Sequence, residues 1–132
     1  MANPNLFASS TAYGTTTYYT PSGTTAVVLL ANASSSGKVY KINQIVAANV
    51  NGSSAVNATV SIYSNGGQAQ GSAPSGGTAY PVVSTVSVPA SASLVVTDKT
   101  TAIYLMEGTS ISVTSGTASG ITYTISYEEI SA

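Results

Sequence analysis

Apolar residues separated by single hydroxyl or amide residues recur along this chain, and that period of two is what a sheet with one buried face requires. Val56, Ala58, Val60 and Ile62 are spaced by Asn57, Thr59 and Ser61. Ile111 and Val113 alternate with Ser110, Ser112 and Thr114, and Ile121, Tyr123, Ile125 and Tyr127 with Thr122, Thr124 and Ser126. No window shows the three-to-four-residue apolar spacing of an amphipathic helix, and no capped Glu/Lys/Leu stretch occurs.

Turn chemistry falls between the alternating runs. Asn51-Gly52, Asp98-Lys99, Glu107-Gly108 and the Ser-Gly-Thr-Ala-Ser-Gly stretch at 115–120 each separate two of them. Such short separations favour antiparallel hairpins. The pattern predicts eight or nine short strands, near 11–19, 24–31, 38–50, 55–63, 79–88, 92–97, 101–106, 109–115 and 120–129. The expected fold class is all-β, an antiparallel β-sandwich of jelly-roll or immunoglobulin-like order. At 132 residues and 43% hydrophobic content, one domain with a real core is expected. It is read as an extended N-terminal arm at 1–10 and a single sandwich domain at 11–132.

Three segments depart from the alternation. Ala26-Val27-Val28-Leu29-Leu30-Ala31 is apolar throughout, so both faces of that strand need cover. The cover is either the chain's own loops or arm, or a neighbouring subunit; on the second reading Val28 and Leu30 are candidate partner contacts. The arm carries Leu6 and Phe7 after Asn3-Pro4-Asn5, and these are the other candidate contacts, with fraying as the competing fate of a terminus. The glycine-rich stretch 64–78 reads as a long exposed loop.

Charge bounds the chemistry. Three lysines and four acids make 5% of the residues, against about 25% in an average domain. Lys38, Lys41 and Lys99 cannot form a nucleic-acid footprint. With neither His nor Cys, no nucleophile–base pair or thiol metal site is expected. Glu128 and Glu129 are neighbours and would face opposite ways on a strand, while Asp98 and Glu107 fall in turns. No catalytic residue, cofactor or metal is predicted. No apolar run approaches the ~20 residues of a membrane helix, and no signal peptide is visible, so synthesis in the cytoplasm without export is expected. The three Asn-X-Ser/Thr sequons, at Asn32, Asn51 and Asn57, are near what chance gives a chain with 22 Ser and 18 Thr. Tyr13, Tyr18, Tyr19 and Tyr80 could offer stacking faces to a sugar; as strand residues they equally serve packing.

The second half of the chain carries a resemblance. Residues 89–96 (Pro-Ala-Ser-Ala-Ser-Leu-Val-Val) are followed by Thr101-Ala102-Ile103-Tyr104-Leu105-Met106-Glu107-Gly108-Thr109-Ser110-Ile111-Ser112-Val113 and by Ile121-Thr122-Tyr123-Thr124-Ile125-Ser126-Tyr127-Glu128-Glu129-Ile130-Ser131. With Val39-Tyr40-Lys41-Ile42-Asn43-Gln44-Ile45 upstream, the stretch 38–131 resembles the small β-sandwich virion proteins of tailed phages, especially marine and cyanobacterial ones. Thr109 stands where an Asp often follows the turn glycine in that pattern.

The resemblance implies a non-enzymatic virion component, a capsid decoration or cement protein that binds the major capsid protein or other virion proteins, as a homo-oligomer, located in the particle. The alternatives are a neck, tail or fibre component, or a carbohydrate-binding sandwich.

Overall fold

A computed structural model describes residues 3–131. Among these described residues nine strands form: β1 (Thr11–Tyr19), β2 (Val27–Asn32), β3 (Lys38–Asn49), β4 (Val56–Tyr63), β5 (Ala79–Val88), β6 (Ser93–Thr97), β7 (Ile103–Leu105), β8 (Thr109–Ser115) and β9 (Ile121–Ser131), with one 3-10 turn at Lys99–Thr101. They build two antiparallel sheets, as the alternation predicts. One runs β1-β9-β3-β6, with β7 continuing the β6 side of β3; the other runs β2-β8-β4-β5.

The pairing is nested. β1 pairs with β9, β2 with β8, β3 with β6 and β7, and β4 with β5. A long hairpin rolled up into two sheets gives this order, which is the jelly-roll arrangement and not the immunoglobulin one.

The core lies between the sheets. Leu29, Ile42, Ile45, Ala47, Val60, Ile111, Val113, Ile121, Tyr123 and Ile125 are all fully or almost fully buried there. Tyr123, in β9, spans the layer: its hydroxyl donates to Thr114 O at 2.5 Å and accepts from Thr59 N at 3.3 Å, on strands β8 and β4 of the facing sheet. Burial pushes its phenol up to about 12.

Buried asparagines fix two of the corners where the chain changes sheets. Asn32 donates to Lys38 O (2.9 Å) and Leu105 O (3.0 Å) and accepts from Ser36 Oγ (2.6 Å) at the turn from β2 to β3. Asn49 donates to Ser54 O and Val88 O and accepts from Asn51 N between β3 and β4. Each side chain answers backbone groups that a corner would otherwise leave unpaired.

Segment 64–78 is not a free loop. It doubles back along the open edge of β2, where Val28 N donates to Ser72 O (2.9 Å) and Gly71 N to Val28 O (2.8 Å). Gln70 Nε2 bridges Leu29 O (2.9 Å) and Thr17 Oγ1 (3.1 Å), tying the segment to β1 as well. This pairs the edge of β2 that β8 leaves open. A bulge between Val28 and Leu30 lets consecutive Leu29 and Leu30 both join the core. Val28 and Leu30, expected as candidate partner contacts, are therefore corrected: they are 0% and 8% exposed, covered by this chain itself.

The segment depends on Gly66. A Cβ there would lie 2.2 Å from Asn32 O and 2.7 Å from Thr109 O, an overlap with backbone that no rotamer change relieves. At Gly67 the nearest contact would be Asn65 Oδ1 at 3.3 Å.

Two predictions follow from these contacts. Gly66→Ala should lower unfolding free energy by about 2 kcal/mol or more in denaturant titrations, and Gly67→Ala by clearly less; equal effects would contradict the close approach. Because the folded pKa of Tyr123 lies above the ordinary tyrosine value near 10, its contribution is fully present below pH 10. It is lost as pH rises to about 12, a drop of roughly 2–3 kcal/mol. Tyr123→Phe should lose about 1 kcal/mol at neutral pH and show a shallower alkaline decline than the parent, read by denaturation at pH 8, 10 and 11.5.

Candidate interaction surfaces

Two places on the first sheet's outer side carry a depression: the arm before β1, and the point where β3 and its partner strand are both interrupted. Within the segment read as an extended arm over 1–10, residues 3–10 form a tethered turn; Met1 and Ala2 lie outside the described residues. Asn3 Oδ1 accepts from Glu107 N (3.2 Å), and Ser10 N donates to Ser131 O (3.0 Å). Between these anchors Asn5 closes a turn, accepting from Phe7 N through its side chain (3.0 Å) and from Ala8 N through its carbonyl (3.0 Å). An Asx turn of this kind holds its residues without help from the core.

The turn points Phe7, the chain's single Phe, fully into solvent. Leu6 is 44% exposed. With Pro4 it borders an apolar cavity of about 270 Å³ whose other walls are Asn3, Val39, Tyr104 and Met106. Of the candidate contacts, Leu6 and Phe7 are thus brought together on the surface, and Val28 and Leu30 are not. Tyr104 and Met106, both about half exposed, extend the same patch. They were legible only as part of the strand predicted at 101–106.

The second place lies beside Asn43. In β3 this residue is the extra one of a bulge: Ile42 opposes Tyr127 and Gln44 opposes Ser126, leaving Asn43 unmatched. Across the strand's other edge the partner breaks at the same level. Thr97 pairs with Ile45 and Ile103 with Ile42, so five residues, 98–102, span the place of two. Asp98 organises that detour as a capping box, accepting from Thr100 N at 2.9 Å and Thr100 Oγ1 at 2.5 Å while Thr101 Oγ1 accepts from Asp98 N at 3.2 Å. The Thr100 hydroxyl and N–H hold the Asp98 carboxyl below its ordinary value. The double interruption opens a cavity of about 420 Å³ lined by Asn43, Gln44, Asp98, Lys99, Thr100 and Ser126.

The remaining charges are largely tied up. Glu129 pairs with Lys38 at 2.8 Å and Glu128 lies 3.9 Å from Lys41. The hydrogen bond to Glu129 raises the Lys38 amine. Tyr40 and Tyr127 pack with ring centroids 5.1 Å apart, and burial raises both phenols.

The tyrosines weighed as a sugar platform are dispersed. Tyr18 faces outward on β1, opposite Thr124; Tyr19 turns inward opposite Tyr123, against the core and beside Gly71; Tyr80 lies on β5 in the other sheet. Asn32 is fully buried, so its sequon is closed to modification in the folded state. Among the described residues no group of three or more His, Cys, Asp or Glu is placed to hold a metal, and no helix is long and apolar enough to cross a membrane. No protein-family model, curated protein or solved structure matches this chain.

Proposed function

We propose that this protein is a non-enzymatic structural component of a tailed-phage particle, a capsid decoration or cement protein that bridges shell subunits. The observation that carries the reading is Phe7. A large aromatic side chain held fully in solvent by a hydrogen-bonded turn, next to a cavity bordered by further exposed apolar side chains, fits a contact with a partner. Leu6, its neighbour in the chain, borders a cavity with Tyr104 and Met106 and adds further exposed apolar surface, as a core of interface residues would.

Three other properties support the reading. The chain resembles small virion sandwich proteins over 38–131. Jelly rolls recur in viral capsid and lectin domains, although a fold does not fix a function. The near absence of free charge suits a building block packed among copies of itself and other shell proteins, where repulsion would accumulate. The mechanism is multivalent: each copy contributes a modest contact, and a lattice of copies sums them against internal pressure. A position at the neck or tail uses the same contacts in fewer copies.

Phe7→Ala tests the contact. The side chain rests on nothing in its own domain, so the thermal midpoint should stay put, while rebinding to particles stripped of the protein should weaken about tenfold or more. Unchanged occupancy on deleting residues 1–10 would remove the arm from the interface.

A further inference from the structure

We propose that the free edge of β1 is where two copies of this chain meet, each β1 pairing antiparallel with the other across a two-fold axis. The inference does not rest on the shell role above, and the isolated protein tests it.

A sheet edge leaves backbone N–H and C=O groups unpaired. Proteins suppress unwanted pairing there with prolines, bulges, charges, short strands or a covering segment. Among the described residues, three of the four sheet edges carry such a device. β2 is paired by the 64–78 segment, through Val28 with Gly71 and Ser72. β5 holds Pro81, two register shifts against β4 and a φ of 48° at Thr85. β6 and β7 are five and three residues long, and the 3-10 turn separates them.

β1 has none of these. Its nine residues pair with β9 without a register shift. It contains no proline, no charge and no residue at positive φ. Among the described residues its backbone bonds to β9 alone. Gln70 reaches it only through the Thr17 hydroxyl, and residues 11–16 are all exposed. Thr and Tyr supply seven of the nine positions, types that favour strands and pair well across them.

Charge and symmetry select the occupant. No charged side chain precedes Lys38, so this edge offers a charged strand nothing to recognise. In a two-fold antiparallel pair a strand faces its own copy, and any charge near the axis opposes its like. β1 is free of that penalty along its whole length. The middle of the exposed run puts the axis at Tyr13 or Gly14. With the other edges blocked, the assembly closes at two copies instead of extending. One strand pair buries less than the roughly 1,200 Å² at which standard interfaces begin, so the affinity in solution is modest.

The test is sedimentation equilibrium of the intact protein from about 10 μM to 1 mM, the range that resolves micromolar to millimolar dimers. A monomer–dimer equilibrium with no larger species is expected. Tyr13→Lys combined with Thr15→Lys sets like charges against each other for either axis position, and should raise the dimer Kd about tenfold. Both positions are exposed, and the new ammonium at 13 stands opposite Glu129 in its own sheet, so the thermal midpoint should hold. The chain has no cysteine, so one introduced thiol reports the geometry. Tyr13→Cys or Gly14→Cys should give a disulfide-linked dimer on mild oxidation; an added Cβ at Gly14 meets nothing within 4 Å. Val82→Cys, exposed on β5, should not. A wild-type chain that stays monomeric at 1 mM, a dimer that survives the paired lysines, or one lost instead with Phe7→Ala would overturn the proposal. Rebinding to stripped particles is a separate measurement, so failure here leaves the shell reading to be judged on Phe7.

Discussion

The packing of one sheet on the other through a single apolar layer is what everything else here depends on, and Tyr123 is the side chain that fastens it. Branched aliphatics fill most of the layer, and they are sequence-tolerant fillers. Tyr123 is different because its hydroxyl reaches backbone groups of both β4 and β8, fixing how the sheets sit over each other. In a buried tyrosine the apolar body and polar tip both contribute, provided the tip finds partners. The asparagines at 32 and 49 do the equivalent work at the corners, so that the rolled hairpin has defined bends as well as a defined core.

How far the sequence reveals this differs by element. β1, β5 and β8 fall at the predicted residues, since period-two alternation or runs of Thr, Tyr and Val mark them directly. β1 forms although most of it is exposed, held by nine consecutive pairs with β9. The segment predicted at 101–106 shrinks to three residues because Asp98 caps a turn that consumes its start. Jelly-roll order was not separable from immunoglobulin order, since the deciding contacts, such as Thr11 with Ser131, join opposite ends of the chain and leave no local mark.

The surfaces were less legible than the fold. Apolar density made Val28 and Leu30 look like interface residues, but density does not distinguish a partner's cover from the chain's own. The open edge of β2 is paired by a glycine-rich stretch whose composition suggested mobility, and which backbone and Gln70 hydrogen bonds and the close approach at Gly66 hold in place. Phe7 was identifiable as a lone aromatic in an arm. Asn43 was not: a bulge in one strand and a detour in its neighbour are each invisible to alternation, and the cavity exists only because the register places them side by side.

The proposed shell role fits a nearly uncharged sandwich whose tethered turn holds Phe7 in solvent. Its central claim is tested most directly by the copy number of this chain in purified phage particles, measured by quantitative mass spectrometry against the major capsid protein. A ratio near one, or a simple large fraction of it, is the predicted result. A handful of copies would move the protein to the neck or tail, and its absence from particles would contradict the account.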